Sequence, residues 1–177
     1  MSARHIFIDE TKRRGYLMVA SIHAATDVLP MRTVVRNLLL PKQRYLHMKD
    51  ERDGRRRTIA EAFVEAQVRA VVYRAGAPHR TDLQRRAACL RAIVEDNSSA
   101  ADVRLILHQD DTLLSFDNQR LIEYTREFDC RHTLHYGHRR ADAELLLGIP
   151  DTIAWCCAKG GEWQRLVQPV LIRVRDI

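Results

Sequence analysis

The chain has 177 residues, 46% of them hydrophobic and 29% charged, which is the composition of one folded domain and not of a disordered or fibrous chain. Its 29 basic and 23 acidic residues leave a net charge of +6 and a pI near 9.5, a balance that suits a nucleic-acid partner without requiring one. No stretch approaches the roughly 18 uninterrupted apolar residues of a membrane helix, and Asp9 arrives too early for the apolar core of a secretion signal.

In chain order, residues 4–9 read as a short strand, and residues 15–24 are long enough to pair with it as a hairpin through the turn TKRRG. Val28, Leu29, Val34, Val35, Leu38 and Leu39 have helical spacing, and this helix stops before Pro41. Residues 44–48 predict a third, shorter strand. Asp53 is placed to cap a helix over 54–67, whose Ile59, Ala62, Phe63 and Ala66 form one apolar stripe. Residues 68–73 are a β-branched strand, Thr81 opens a helix to about residue 95, and the polar segment 96–101 is a loop. Strand 103–108, helix 116–128 and an extended segment 133–137 follow. The stretch 149–167 reads as mostly helix with Pro150 in its first turn, and 171–174 as a last strand or a tail. A hairpin, a third strand and then alternating helices and strands make an α/β (α+β-like) domain with a mixed sheet. No repeat or linker divides it, so 1–177 is expected to be a single domain.

Three acids share one kind of setting. Asp9 ends a strand after Ile6-Phe7-Ile8, Asp110 ends a strand after LILHQ, and Asp151 opens an apolar helix as IPDTIAW. Strand ends meeting at one sheet edge, with a helix packed alongside, would gather carboxylates that are distant in sequence. Gathered carboxylates repel one another, and a hard cation such as Mg²⁺ or Mn²⁺ relieves them. Two such ions would activate a water and stabilise the leaving oxygen in phosphodiester hydrolysis. Taken singly, each acid also reads as a turn residue, a strand exit or a helix-start charge favoured by the helix dipole.

FIDE in the first strand, its partner GYLMVASI, then LHMKD and the late IPDTIAW together resemble the ribonuclease H-like superfamily. The closest likeness is to a bacterial and phage group whose first strand carries Asp-Glu-Ser-Gly and whose last helix carries a Leu-Gln-Ala-Asp-like motif. The resemblance implies a mixed five-stranded sheet flanked by helices, with Mg²⁺ or Mn²⁺ held by carboxylates. It makes Asp9 the first-strand ligand, with Glu10 beside it, and Asp151 the last-helix ligand. Here Thr11 and Lys12 replace the small residues of that first motif, and the strand in VRAVVYRA reaches its end at Arg74, after Val72-Tyr73, where such enzymes often supply a carboxylate. Asp110 or Asp111, one strand later, is the substitute. Glu61 and Glu65 are further acids on the helix before that strand.

At the strand-to-helix junction in LHMKDERDGRRR, His47, Lys49, Arg52, Arg55 and Arg56 read as a phosphate-contacting, nucleic-acid-binding patch, or as the solvated start of a helix. Arg55, Arg56 and Arg57 cannot all lie on one helical face. His132, His135 and His138 cannot converge on an extended strand, because the middle one points away from the outer two. Cys89, Cys130, Cys156 and Cys157 lack CxxC spacing and read as small buried hydrophobes in a reducing cytoplasm. Trp155 and Trp163 are expected in the core or at an oligomer surface. The function expected is that of a cytoplasmic, Mg²⁺- or Mn²⁺-dependent nuclease acting on RNA or DNA. The alternatives are a catalytically degraded module that binds nucleic acid or a protein, and a hydrolase of a smaller phosphate ester.

Overall fold

A computed structural model describes residues 3–177. Strands β1 (Arg4–Thr11) and β2 (Tyr16–Ala24) form the antiparallel hairpin, with Asp9 opposite Val19. The turn between them places Arg14 and Gly15 at φ 54° and 110°. That left-handed backbone favours the glycine. β3 (Arg69–Ala75) adds antiparallel to β2, while β4 (Val103–His108) and β5 (Leu134–Arg139) add in parallel on the other side of β1. β6 (Leu171–Asp176) pairs in parallel with β3, giving one sheet of order β5-β4-β1-β2-β3-β6.

The sheet therefore has six strands, one more than expected, and the added edge strand is the chain's last segment. Residues 44–48 are not among them. Leu46 and Met48 are buried and His47 is half-buried, so the side chains alternate as in a strand. The Met48 amide, however, bonds to the Asp151 carboxylate and not to a neighbouring strand. This segment is an extended rim laid on a helix, ending in a 3₁₀ turn at Met48–Asp50.

Helices α3 (Asp82–Asn97) and α4 (Leu114–Glu127) cover one face of the sheet. They bury Ile6, Ile8, Met18, Tyr73, Leu90 and Leu105. Thr81 caps α3 in a capping box with Gln84, satisfying amides that the first turn leaves free. Asp53 is the first residue of its helix and not the cap; the cap is Arg52. The opposite face carries α1 (Val28–Leu38), α2 (Asp53–Glu65), α5 (Gly148–Lys159) and α6 (Gly161–Val167). That layer buries Phe7, Val19, Val35, Ile59, Phe63 and Ile153. α5 lies across β1 and β2. Trp155 and Trp163 are buried edge to face, with ring centres 5.1 Å apart, so they are core and not an oligomer surface. Among the described residues no helix is long and apolar enough to cross a membrane. All four cysteines are free thiols, and three of them are buried.

Candidate active site

Strand parity sets the site. Successive side chains on a strand point to opposite faces, so Phe7 and Asp9 of β1 face the α5 layer while Ile8 and Glu10 face α3. β1 is covered on both sides, which is why the whole run Ile6-Phe7-Ile8 is apolar. Asp9 sits at the end of that buried run, 8% exposed, and its Oδ1 accepts the Glu10 amide at 2.8 Å. His108, the last residue of β4, brings its Nδ1 within 3.5 Å of the same oxygen.

Asp151 comes from the first turn of α5, where a carboxylate is favoured by the helix dipole. Its Oδ2 accepts the Met48 amide at 2.8 Å, and its Oδ1 lies 3.1 Å from His47 Nδ1. Asp9, Asp151, His47 and His108 line one pocket of about 360 Å³, together with Arg140 and Asp142. Two exposed ion pairs frame its rim, Arg44–Asp142 at 2.9 Å and Arg140–Asp111 at 2.7 Å.

Burial pushes the Asp9 carboxyl well above the usual carboxylate range, and the negative charges of Asp151 and Glu10 push it further. The Glu10 amide and the Arg86 charge only partly offset this. The bond to Asp151 raises His47 above the ordinary histidine value, against the opposing effect of burial.

The structure brings together Asp9, Asp151 and His47 of the residues singled out from sequence, and leaves the others elsewhere. Glu10 does not line the pocket. It turns to the α3 side, where its Oε1 meets Arg86 Nη1 at 3.0 Å. Arg86 is 2% exposed and forks onto Asp117 at 2.6 and 2.7 Å. Asp110 lies in the turn after β4, and its Oδ1 accepts the Thr112 amide at 2.9 Å and hydroxyl at 2.6 Å. Those bonds lower its pKa. Asp110 and Asp111 both fall outside the pocket lining, and Glu61 and Glu65 are exposed on α2.

The basic patch is mostly structural. Arg55 binds the Glu51 carboxylate and the Leu38 carbonyl. Arg56 binds the Met48 carbonyl and the Asp53 carboxylate, and stacks 4.5 Å over Trp155. Lys49 and Arg52 are exposed. His135 and His138 of β5 point to opposite faces as parity requires, His138 buried against Asp117 at 3.1 Å and His135 exposed, while His132 lies in the turn before β5 and is exposed, apart from His138. Sequence reasoning missed His108, Arg140 and Asp142 of the pocket. For His108 part of the signal is legible, because it shares parity with Arg104 and Ile106; the β1–β4 register then puts it beside Asp9.

Among the described residues no three His, Cys, Asp or Glu side chains are gathered as a ready cation cage. The donor chemistry still fits a hard divalent ion. Such an ion is commonly held by one or two carboxylates and completed by water and substrate phosphate, with no all-protein cage. Two repelling carboxylates, one of them buried, are what it relieves.

A mixed sheet whose antiparallel β1-β2-β3 unit is extended by parallel β4 and β5, with an acid-bearing helix laid on β1, has the ribonuclease H-like fold. The chain matches the RNase HII in the structure of the PCNA:RNase HII complex from Archaeoglobus fulgidus with a TM-score of 0.55. The match covers 95% of this chain and 75% of that one, at 15% identity. At that identity the likeness is one of fold. No protein-family model matches the chain, and no curated protein matches it.

Proposed function

We propose that the protein is a Mg²⁺- or Mn²⁺-dependent nuclease that hydrolyses phosphodiester bonds in RNA or DNA, working at Asp9 and Asp151. One observation carries this reading: a buried Asp9 and a helix-start Asp151 line the same pocket, where burial first and the Asp151 charge second raise the Asp9 pKa. Bound there, the cation would activate water and stabilise the leaving oxygen. Asp9 and Asp151 would hold it, with His108 as a nitrogen donor beside Asp9. Backbone amides of Glu10 and Met48 fix the two carboxylates, and His47 orients Asp151 from the pocket side. The Glu10 side chain acts on the site only through its charge. FIDE and IPDTIAW are the grounds for kinship with the bacterial and phage group, and four free thiols are the ground for a cytoplasmic setting.

A second reading has its own observation. The position next to Asp9 on β4 holds His108, and Asp110 is turned onto Thr112, so the third carboxylate is missing. This favours a module that keeps the fold and binds nucleic acid or a protein without cutting. Calorimetric titration of Mn²⁺ and Mg²⁺, with cleavage assays on RNA, DNA and hybrid, separates the two. Wild type should bind Mn²⁺ and cut; Asp9→Asn and Asp151→Asn should lose both, and Asp110→Asn should keep both. A wild type that binds no Mn²⁺ and cuts nothing overturns the nuclease, and nucleic-acid binding that falls steeply with salt then identifies the module.

A further inference from the structure

The layer opposite α3 and α4 is incomplete. Its helices cover β1, β2 and β3, and among the described residues no helix is laid over β4 and β5 on that side, where Ile106 is only partly buried against the layer's core. The exposed sheet surface forms a groove of about 530 Å³ between these two strands and the rim of α1. Parity decides what it presents: His5 from β1, Arg104 and Ile106 from β4, and His135, Gly137 and Arg139 from β5. Arg104, His135 and Arg139 are exposed. Among the described residues neither Arg104 nor Arg139 pairs with a carboxylate; Arg139 donates only to the His138 carbonyl. The groove's own acid, Glu144, is already bound by Arg32 at 2.7 Å. The groove thus carries unneutralised positive charge over a floor of Ile106 and the bare backbone of Gly137.

The groove also leads to the carboxylate pocket. Phe7 and Ile106 line it, and the next residues of matching parity on the same strands are Asp9 and His108, which line the pocket. At the other border Arg139 belongs to the groove and Arg140 to the pocket.

We infer that the β4–β5 face seats a single nucleic-acid strand that continues into the carboxylate pocket. The choice of nucleic acid over other polyanions rests on the nuclease reading; the groove, its charge and its direction do not. Arg104 and Arg139 supply phosphate contacts. Their planar guanidinium groups, with the apolar floor, also accept bases face on, which only an unstacked strand offers. A duplex keeps its base faces stacked and gains nothing from this floor.

The test is fluorescence anisotropy with labelled single-stranded RNA and DNA oligonucleotides, on the full chain with chelator present, across a series of salt concentrations. Wild type should bind the strand, and unlabelled duplex should compete poorly. Arg104→Glu/Arg139→Glu, two exposed positions, should weaken binding at least about tenfold and flatten the log–log salt slope by about 1.4, the share of two phosphate contacts on a single strand. Gly137→Leu fills the floor without changing charge. A Cβ there meets nothing nearer than Arg139 Nη1 at 3.7 Å, so the strand fits it, and binding should weaken too. Arg80→Glu/Arg165→Glu, with the same charge change on other surfaces, should bind nearly as wild type, and thermal melts confirm that each variant folds. The inference is overturned if the groove variants bind as wild type, if the control loses as much, or if duplex or polyglutamate competes as well as the strand. Because binding is read in chelator, a protein that binds the strand but neither binds Mn²⁺ nor cuts would keep this seat and lose only the nuclease.

Discussion

Asp9 and Glu10 are neighbours in sequence with opposite roles, because one step along a strand is one change of face. Glu10 finds a cation, Arg86, at 3.0 Å. Asp9 is buried beside another carboxylate, with only the half-exposed His108 near it at 3.5 Å. Burial and the neighbouring charges raise its folded pKa well above that of the unfolded chain, so above the ordinary carboxylate range ionisation costs more in the folded state than in solvent. The cost shrinks as pH falls and disappears below that range, where both states are protonated. Asp9→Asn should therefore make the metal-free protein more stable at pH 7 by about 1 kcal/mol, the size common when a functional site is relieved of strain. For a chain of this length that raises Tm by about 2–4 °C. Thermal melts of both proteins at pH 7 and pH 4.5 check this: the gain should shrink at the lower pH. A variant less stable at pH 7 would mean that His108 already compensates Asp9.

At the scale of elements, the break between α5 and α6 matters more than either helix. Gly160 has φ 74° and ψ −167°, a region populated almost only by glycine. It lets the chain reverse so that Trp163 of α6 returns edge to face onto Trp155 of α5, with Arg56 and Arg57 over the two rings. Gly160→Ala should cost about 1–3 kcal/mol, read as a lower urea midpoint, although no atom lies within 4 Å of an added Cβ. The penalty comes from the backbone, so filling space cannot explain it. Much of this layout is legible in the sequence: the hairpin, α3 with its Thr81 cap, and the strands before Asp9 and Asp110 follow from periodicity. What is illegible has local causes. Tyr45-Leu46-His47-Met48 alternates as a strand does, and alternation alone does not say whether an extended segment lies against a sheet or a helix. β6 is an edge strand whose Arg173 and Arg175 reach back to Asp96, so its apolar signal is weak. Asp110 looks like a third ligand until the turn at Gln109 lets it cap Thr112.

Across the molecule, the α3–α4 layer is pinned to the sheet by a buried ionic cluster as well as by its apolar core. Arg86 joins Asp117 of α4, Glu10 of β1 and the Tyr16 hydroxyl of β2, and His138 of β5 closes on Asp117. Burial alone would raise the Asp117 pKa, but its bonds to Arg86 and His138 outweigh that and lower it. A carboxylate with a depressed folded pKa stabilises the fold above its unfolded value, and that stability is lost as pH falls through the folded pKa. Arg86→Met keeps much of the side-chain volume and removes the shared cation, leaving Asp117 fully buried with only His138 and leaving Glu10 unpaired. Breaking a buried pair on one side costs about 3–5 kcal/mol, so urea unfolding at pH 7 should show a loss of that order. The loss should be smaller at pH 4, because the stranded Asp117 can then take a proton and stop being a buried charge. Removing both partners, as Arg86→Met/Asp117→Leu, should recover part of the stability, since a well-packed apolar replacement leaves one fewer buried charge unpaired. An equal loss at both pH values would show that packing, and not charge, is what Arg86 contributes.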